Sequence, residues 1–116
     1  MTRTLATPDG ASLLARDWTP DRPPWLHLLL VHGVSEHSGR YERTGRLLED
    51  GGIVVTAFDL RGHGGSSGRR ADSEHWTDLT DDIGRLLAEV RAAAGSVRWP
   101  WLRAQARELA KAARGG

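Results

Sequence analysis

Hydrophobic residues concentrate in two short runs separated by a stretch with helical spacing. Residues 25–31 and 53–60 are each almost continuously apolar, as expected for strands of a parallel sheet that is covered on both faces. Between them, residues 38–50 favour a helix that turns Leu47 and Leu48 toward the core, and the glycine pair that follows predicts its end. Strand, helix and strand in this order predict a right-handed βαβ unit.

Elements on either side complete the pattern. Residues 5–7 and 11–18 flank Pro8-Asp9-Gly10, and Asp-Gly predicts a β-hairpin because glycine accepts a positive φ. Downstream, helical spacing predicts a helix with aspartates in its first turns and an apolar face of Trp76, Leu79, Ile83, Leu86, Leu87 and Val90. Residues 100–114 favour a further helix. The predicted fold class is therefore α/β.

Length and charge narrow the class of protein. At 116 residues the chain makes at most one small domain, and a formal net charge of +1 argues against nucleic acid as a partner. The absence of cysteine excludes disulfides and thiolate metal sites. The N-terminus has no apolar stretch typical of a signal peptide, and residues 25–31 are too few to cross a bilayer. We expect no transmembrane segment and a cytoplasmic location.

Two motifs follow the predicted parallel strands. The first is His-Gly-Val-Ser-Glu-His-Ser-Gly-Arg-Tyr at residues 32–41, and the second is Phe-Asp-Leu-Arg-Gly-His-Gly-Gly-Ser at residues 58–66. Together they resemble the N-terminal third of an α/β-hydrolase, in the monoacylglycerol lipase and lysophospholipase-like branch of the serine aminopeptidase type. The resemblance implies an ester hydrolase with a Ser-His-Asp triad, an acyl ester or monoacylglycerol substrate, and no cofactor.

In that family the turn that follows the first of the two parallel strands, here residues 25–31, binds the oxyanion of the reaction. The resemblance assigns His32 and Gly33 to this turn and makes the backbone N–H of Val34 one oxyanion donor. Ser35 departs from the Gly or Ala that is more usual at its position. Glu36 and Arg40 are four residues apart, and we interpret them as an ion pair on one helical face that holds the turn.

The second motif contains a serine in a sequence pattern that is typical of a catalytic nucleophile. Residues 64–68 fit the Gly-x-Ser-x-Gly pattern of a nucleophile elbow, but an elbow joins a strand directly to a helix, whereas Ser66 lies within a polar loop. We therefore assign Ser66 a structural role. Loop stabilisation is likewise the predicted role of the remaining motif residues, Asp59, Gly62, His63 and Gly64. The histidine spacing does not fit a zinc site, so no metal is predicted.

The resemblance ends near Ala94. Family members continue with an apolar strand and Gly-His-Ser-x-Gly-Gly, whereas residues 95–116 form a basic tail rich in alanine. We expect residues 1–94 to be the N-terminal portion of a hydrolase domain, truncated before the elbow and inactive as this chain. A frameshift, a premature stop or an incomplete gene model is the hypothesis for its origin. The exposed edge of strand 25–31 predicts self-association. The alternative is a non-catalytic binding module whose tail helix contacts a partner or an acidic membrane surface.

Overall fold

A computed structural model describes residues 1–70, 75–95, 108 and 110–115. Within these residues four strands form one mixed sheet in the order β1-β2-β4-β3. A 3₁₀ turn over Ser38–Tyr41 leads into the helix α1. The strands are β1 (Thr2–Ala6), β2 (Ser12–Trp18), β3 (Leu26–Val31) and β4 (Ile53–Phe58), and the helices are α1 (Glu42–Asp50) and α2 (Trp76–Ala94).

The predicted hairpin is present at the N-terminus. β1 and β2 pair antiparallel from Thr2↔Arg16 to Ala6↔Ser12. The turn between them closes with a hydrogen bond from the Gly10 N–H to the Thr7 carbonyl, and Gly10 has φ 88°. Glycine adopts this left-handed conformation without a Cβ clash, which is the property on which the prediction relied.

The predicted βαβ unit is also confirmed. β3 and β4 pair parallel, from Leu26↔Ile53 to Val31↔Phe58, and α1 forms the connection between them. Because the two strands run in the same direction, their carboxyl ends lie side by side. The segments that begin at His32 and at Asp59 therefore leave the sheet next to each other.

In the described part of the chain, α2 packs on one face of the sheet and α1 on the other. On one face Leu86 of α2 is fully buried with Leu13, Ala15 and Phe58. On the other face Trp18 is buried with three residues of β4, and Leu48 of α1 packs against them. Burying a side chain of this size contributes about 1.5–3 kcal/mol, so these two clusters account for much of the stability of the fold.

Three predicted core residues are on the surface. Leu47 is 62% exposed, Trp76 is 81% exposed and Leu87 is 41% exposed, so their assignment to the core was wrong. The spacing of apolar residues indicates which of them share a helix face, but not how far the sheet extends beneath that face. In α1 the buried face is formed by Gly45 and the half-buried Leu48, and Leu47 is rotated away by about 100° from its neighbour.

The C-terminal region is only partly described. Residues 108 and 110–115 are helical, and the rest of the helix predicted over residues 100–114 lies outside the described residues. None of the helices within the described part of the chain has both the length and the apolar content needed to cross a bilayer.

Candidate functional site

Two loops meet at the carboxyl ends of β3 and β4. We refer to residues 32–37 as the first loop and residues 59–68 as the second loop. Ligand sites in α/β proteins form outside the carboxyl ends of parallel strands, because loops from neighbouring strands converge there. The residues of both sequence motifs lie in or beside these two loops.

The first loop is a tight turn closed by Glu36. The Glu36 carboxylate accepts a hydrogen bond from the Gly33 N–H at 2.9 Å, and the Glu36 N–H donates to the Gly33 carbonyl at 3.2 Å. Arg40 lies 3.5 Å from the same carboxylate. The ion pair is thus present, but Glu36 lies in the turn before the 3₁₀ segment, not on a helical face as we had expected.

Val34 lies at the tip of this turn. Its side chain is 75% exposed, and within the described part of the chain its N–H has no hydrogen-bond acceptor. The next residue, Ser35, has φ 64°, the left-handed conformation that glycine adopts most easily. Glycine, one of the two residues more usual at that position, would adopt this conformation without a Cβ clash. The turn therefore leaves a backbone donor at the strand ends without an acceptor among the described residues.

Asp59 connects the second loop to the 3₁₀ turn. Its buried carboxylate accepts hydrogen bonds from both the N–H and the hydroxyl of Ser38, each at 2.7 Å, and from the Gly65 N–H at 2.8 Å. Burial alone would raise the pKa of Asp59, but the hydrogen bonds from Ser38 and Gly65 outweigh it and lower that pKa below its usual value. An added Cβ at Gly64, which has φ 49°, would lie within 3.1 Å of the carboxylate Oδ1 and closer still to Oδ2.

The hydroxyl of Ser66 is occupied by backbone contacts. It donates to the Asp59 carbonyl and accepts from the Leu14 N–H at 2.9 Å. The neighbouring Gly62, with φ 75°, donates its N–H to the Ser67 carbonyl and closes the loop. Ser66 therefore connects the second loop to β2 through Leu14. The His63 ring contacts Ser35 and Arg61 instead of the Ser66 hydroxyl.

His32 and His63 link the two loops in both directions. His32 Nε2 accepts from the Leu60 N–H at 2.9 Å, while its Nδ1 lies 2.7 Å from the Gly33 carbonyl. His63 Nε2 accepts from the Ser35 N–H at 3.1 Å, while its Nδ1 lies 3.0 Å from the Arg61 carbonyl. Each ring thus binds a backbone N–H of the other loop, and the ring centroids are 5.0 Å apart.

Arg61 carries a structural role that sequence reasoning missed. Its Nε lies 2.8 Å from the fully buried carboxylate of Asp82 in α2, and its Nη1 contacts Asp9 in the hairpin turn at 2.5 Å. Hydrogen bonds with Asp82, and then with Asp9, raise the pKa of Arg61. The signal was present in the sequence, because Asp82 follows Leu79 by three residues and precedes Leu86 by four, which places it on the apolar face of α2.

Metal coordination has no support in these loops. Within the described residues no group of three or more histidine, aspartate or glutamate side chains is arranged to hold a metal ion.

The mixed sheet, with its βαβ unit and two loops at the strand ends, is the N-terminal architecture of an α/β-hydrolase. The chain belongs to the serine aminopeptidase S33 family, whose family model matches residues 22–102. That match extends into the region that sequence analysis assigned to the tail. The family and the monoacylglycerol lipase-like branch predicted from the two motifs are confirmed.

Curated relatives and solved structures agree with this family. The chain is 44% identical over 84 residues to an uncharacterized abhydrolase domain-containing protein of Dictyostelium discoideum, covering 72% of this chain and 9% of that one. It is 42% identical over 66 residues to human monoglyceride lipase, covering 57% and 22%. A carboxyl esterase from Bacillus coagulans superposes with a TM-score of 0.66 at 25% identity, covering 80% and 32%. The chain thus spans less than a third of each of these proteins.

Proposed function

We propose that this chain provides the oxyanion side of an ester-hydrolase active site, with the Val34 N–H as one of two donors. The observation that carries the proposal is the first loop, in which Glu36 and His63 hold the residues on either side of Val34 while the Val34 N–H has no acceptor in the described part of the chain. A donor fixed before the reaction stabilises the developing oxyanion at no reorganisation cost, and one such donor is worth about 100- to 1000-fold in kcat.

The substrate class follows from the relatives. Similarity to proteins named monoacylglycerol lipase and monoglyceride lipase supports an acyl ester, and specifically a monoacylglycerol, as the substrate of the complete site. In such a site the second oxyanion donor follows the nucleophile, and the acid and histidine of the triad come later in the chain.

We further propose that the 116-residue chain alone does not hydrolyse esters. The Ser66 hydroxyl is engaged by Asp59 and Leu14, and His63 Nε2 accepts from a backbone N–H instead of from a serine hydroxyl. A catalytic serine needs a base in hydrogen-bond reach, and removal of the nucleophile or the base of a triad costs about a millionfold in turnover.

A graft tests the role of Val34. Residues 22–94 replace the matching segment of human monoglyceride lipase, and hydrolysis of a monoacylglycerol is measured. We expect an active graft in which Val34→Pro, which removes the N–H, lowers kcat about 100- to 1000-fold.

Val34→Ala is the matched control. It keeps the N–H and removes only an exposed side chain, so its kcat should stay within about threefold of the parent graft. Melting temperatures of both variants separate loss of the donor from loss of the fold. Activity of a folded Val34→Pro graft equal to that of Val34→Ala would overturn the assignment.

A further inference from the structure

The two histidines at the strand ends are neutral acceptors by geometry. A backbone carbonyl can only accept, so the Nδ1 atoms of His32 and His63, which face the Gly33 and Arg61 carbonyls, must carry the hydrogen. Each Nε2 faces a backbone N–H and must therefore present its lone pair. His32 and His63 are each nine-tenths or more buried and Leu60 is buried as well, whereas Ser35 is exposed.

A second proton on either ring removes an acceptor. A hydrogen on Nε2 would point at the N–H that the ring binds, and the donor in the opposite loop would lose its partner. The rings are 5.0 Å apart, so two positive charges there would also repel each other.

The carboxylates of the two loops do not accept a hydrogen bond from either ring, so they would not stabilise a protonated histidine in that way. The carboxylate of Glu36 is directed to Gly33 and Arg40, and that of Asp59 to Ser38 and Gly65. The positive groups of the neighbouring segments are Arg40 of the 3₁₀ turn, Arg16 of β2, which binds Ser38, and Arg61 of the second loop.

We propose that His32 and His63 form a proton-sensitive clamp between the two loops and that His63 is a positioning residue for the Val34 donor. The clamp is closed when both rings are neutral. Protonation releases the Ser35 N–H from His63 or the Leu60 N–H from His32, and the turn that carries Val34 separates from the second loop. The consequence for catalysis rests on the proposed function, whereas the clamp itself is a property of this chain.

The tautomers provide the first test. Nitrogen-15 NMR of the imidazole rings in the 116-residue chain at pH 7.5 distinguishes a protonated from an unprotonated ring nitrogen. We expect Nδ1 to be protonated and Nε2 to be unprotonated in both His32 and His63. A protonated Nε2 in either ring would overturn the proposal, and this measurement needs no variant.

Amide hydrogen exchange provides the second test. Protection factors, which correct for the intrinsic effect of pH on exchange, are compared from pH 7.5 down to pH 4.5, a range that extends below the one in which histidine generally titrates. In the wild-type chain we expect the protection of the Leu60 and Ser35 amides to fall about tenfold or more on acidification, since Leu60 loses a buried hydrogen bond and Ser35 a partly buried one.

Glutamine variants assign each effect to one ring. Glutamine Oε1 can accept the same N–H but takes up no proton in this range. His63→Gln should remove the pH dependence at Ser35 and leave it at Leu60, and His32→Gln should do the reverse. His37→Gln is the control, because His37 is exposed and makes neither bond between the loops.

Different results would contradict the clamp and the proposed function. Persistence of the pH dependence at Ser35 in His63→Gln, or its absence in the wild-type chain, would overturn the clamp. Neither measurement involves substrate, so an inactive graft would contradict only the proposed function.

Discussion

The two glycines inside the helices should respond to alanine in opposite directions. Gly45 of α1 is buried against Trp18, and a Cβ added there would lie 2.8 Å from Cε3 of the indole and closer still to its two fused carbons. Gly84 of α2 has no atom within 4 Å of the same position. Real Cβ atoms do not approach within 3.0 Å, so Gly45→Ala must displace a buried ring or the helix.

The expected magnitudes follow from two opposing effects. Overpacking a core typically costs about 1–3 kcal/mol, and alanine in place of a helical glycine contributes about 1 kcal/mol. Both effects act at Gly45, where contacts well inside 3.0 Å to a buried ring place the cost of overpacking at about 2–3 kcal/mol and leave a net loss of about 1–2 kcal/mol in the free energy of unfolding. Only the second acts at Gly84, which predicts a gain of about 0.5–1 kcal/mol.

Thermal unfolding followed by circular dichroism and by tryptophan fluorescence measures both variants. At about 4 °C per kcal/mol for a domain of this size, Gly45→Ala should lower Tm by about 4–8 °C and Gly84→Ala should raise it by about 2–4 °C. An increase in Tm for Gly45→Ala equal to that for Gly84→Ala would refute the packing of α1 on Trp18.

Three further predictions concern charges and the open edge of the sheet. Because the pKa of Asp59 is lowered in the folded state, its carboxylate stabilises the fold above about pH 4, and this stabilisation is lost as the pH falls through the folded-state pKa. Asp59→Asn should therefore make the urea midpoint less dependent on pH in the acid range, and an unchanged dependence would contradict this. Arg61→Gln removes hydrogen bonds to the buried Asp82 carboxylate but leaves its contact with Arg85, so it should cost about 2 kcal/mol in urea unfolding, whereas Arg46→Gln, in an exposed pair, should cost less than about 0.5 kcal/mol. Within the described residues β3 is an edge strand, so Val31→Lys should reduce aggregation measured by light scattering. Leu47→Lys removes exposed apolar surface away from that edge and should not reduce it, and equal reduction by both variants would indicate nonspecific association.

The fold was largely predictable because its signals are local. The Asp9-Gly10 turn and the two apolar runs each depend on a few neighbouring residues, and both the hairpin and the parallel pairing are present. The burial of side chains was less predictable. Leu47 and Trp76 fit a helical stripe, but only the extent of the packed sheet decides which part of a stripe is covered.

The site was predictable in its location but not in its internal bonds. The motifs place His32 and His63 at adjacent strand ends. Each ring accepts a hydrogen bond from a backbone N–H of the other loop, and these bonds depend on ring orientations that residue spacing does not predict. Asp82 illustrates the same limit, because its position near the start of α2 suggested an interaction with the helix dipole. Its partners are Arg61, 21 residues earlier in the chain, and Arg85 on the next turn of α2.

The central claim is that the described residues build the oxyanion side of a hydrolase site and hold no nucleophile. The most direct measurement is incubation of the purified 116-residue chain with a fluorophosphonate probe, followed by intact-mass analysis, with human monoglyceride lipase treated in parallel as the reactive control. We predict a full adduct on the lipase and none on this chain, because the Ser66 hydroxyl is held by Asp59 and Leu14. A stoichiometric adduct that peptide mapping places on Ser66 would contradict the account.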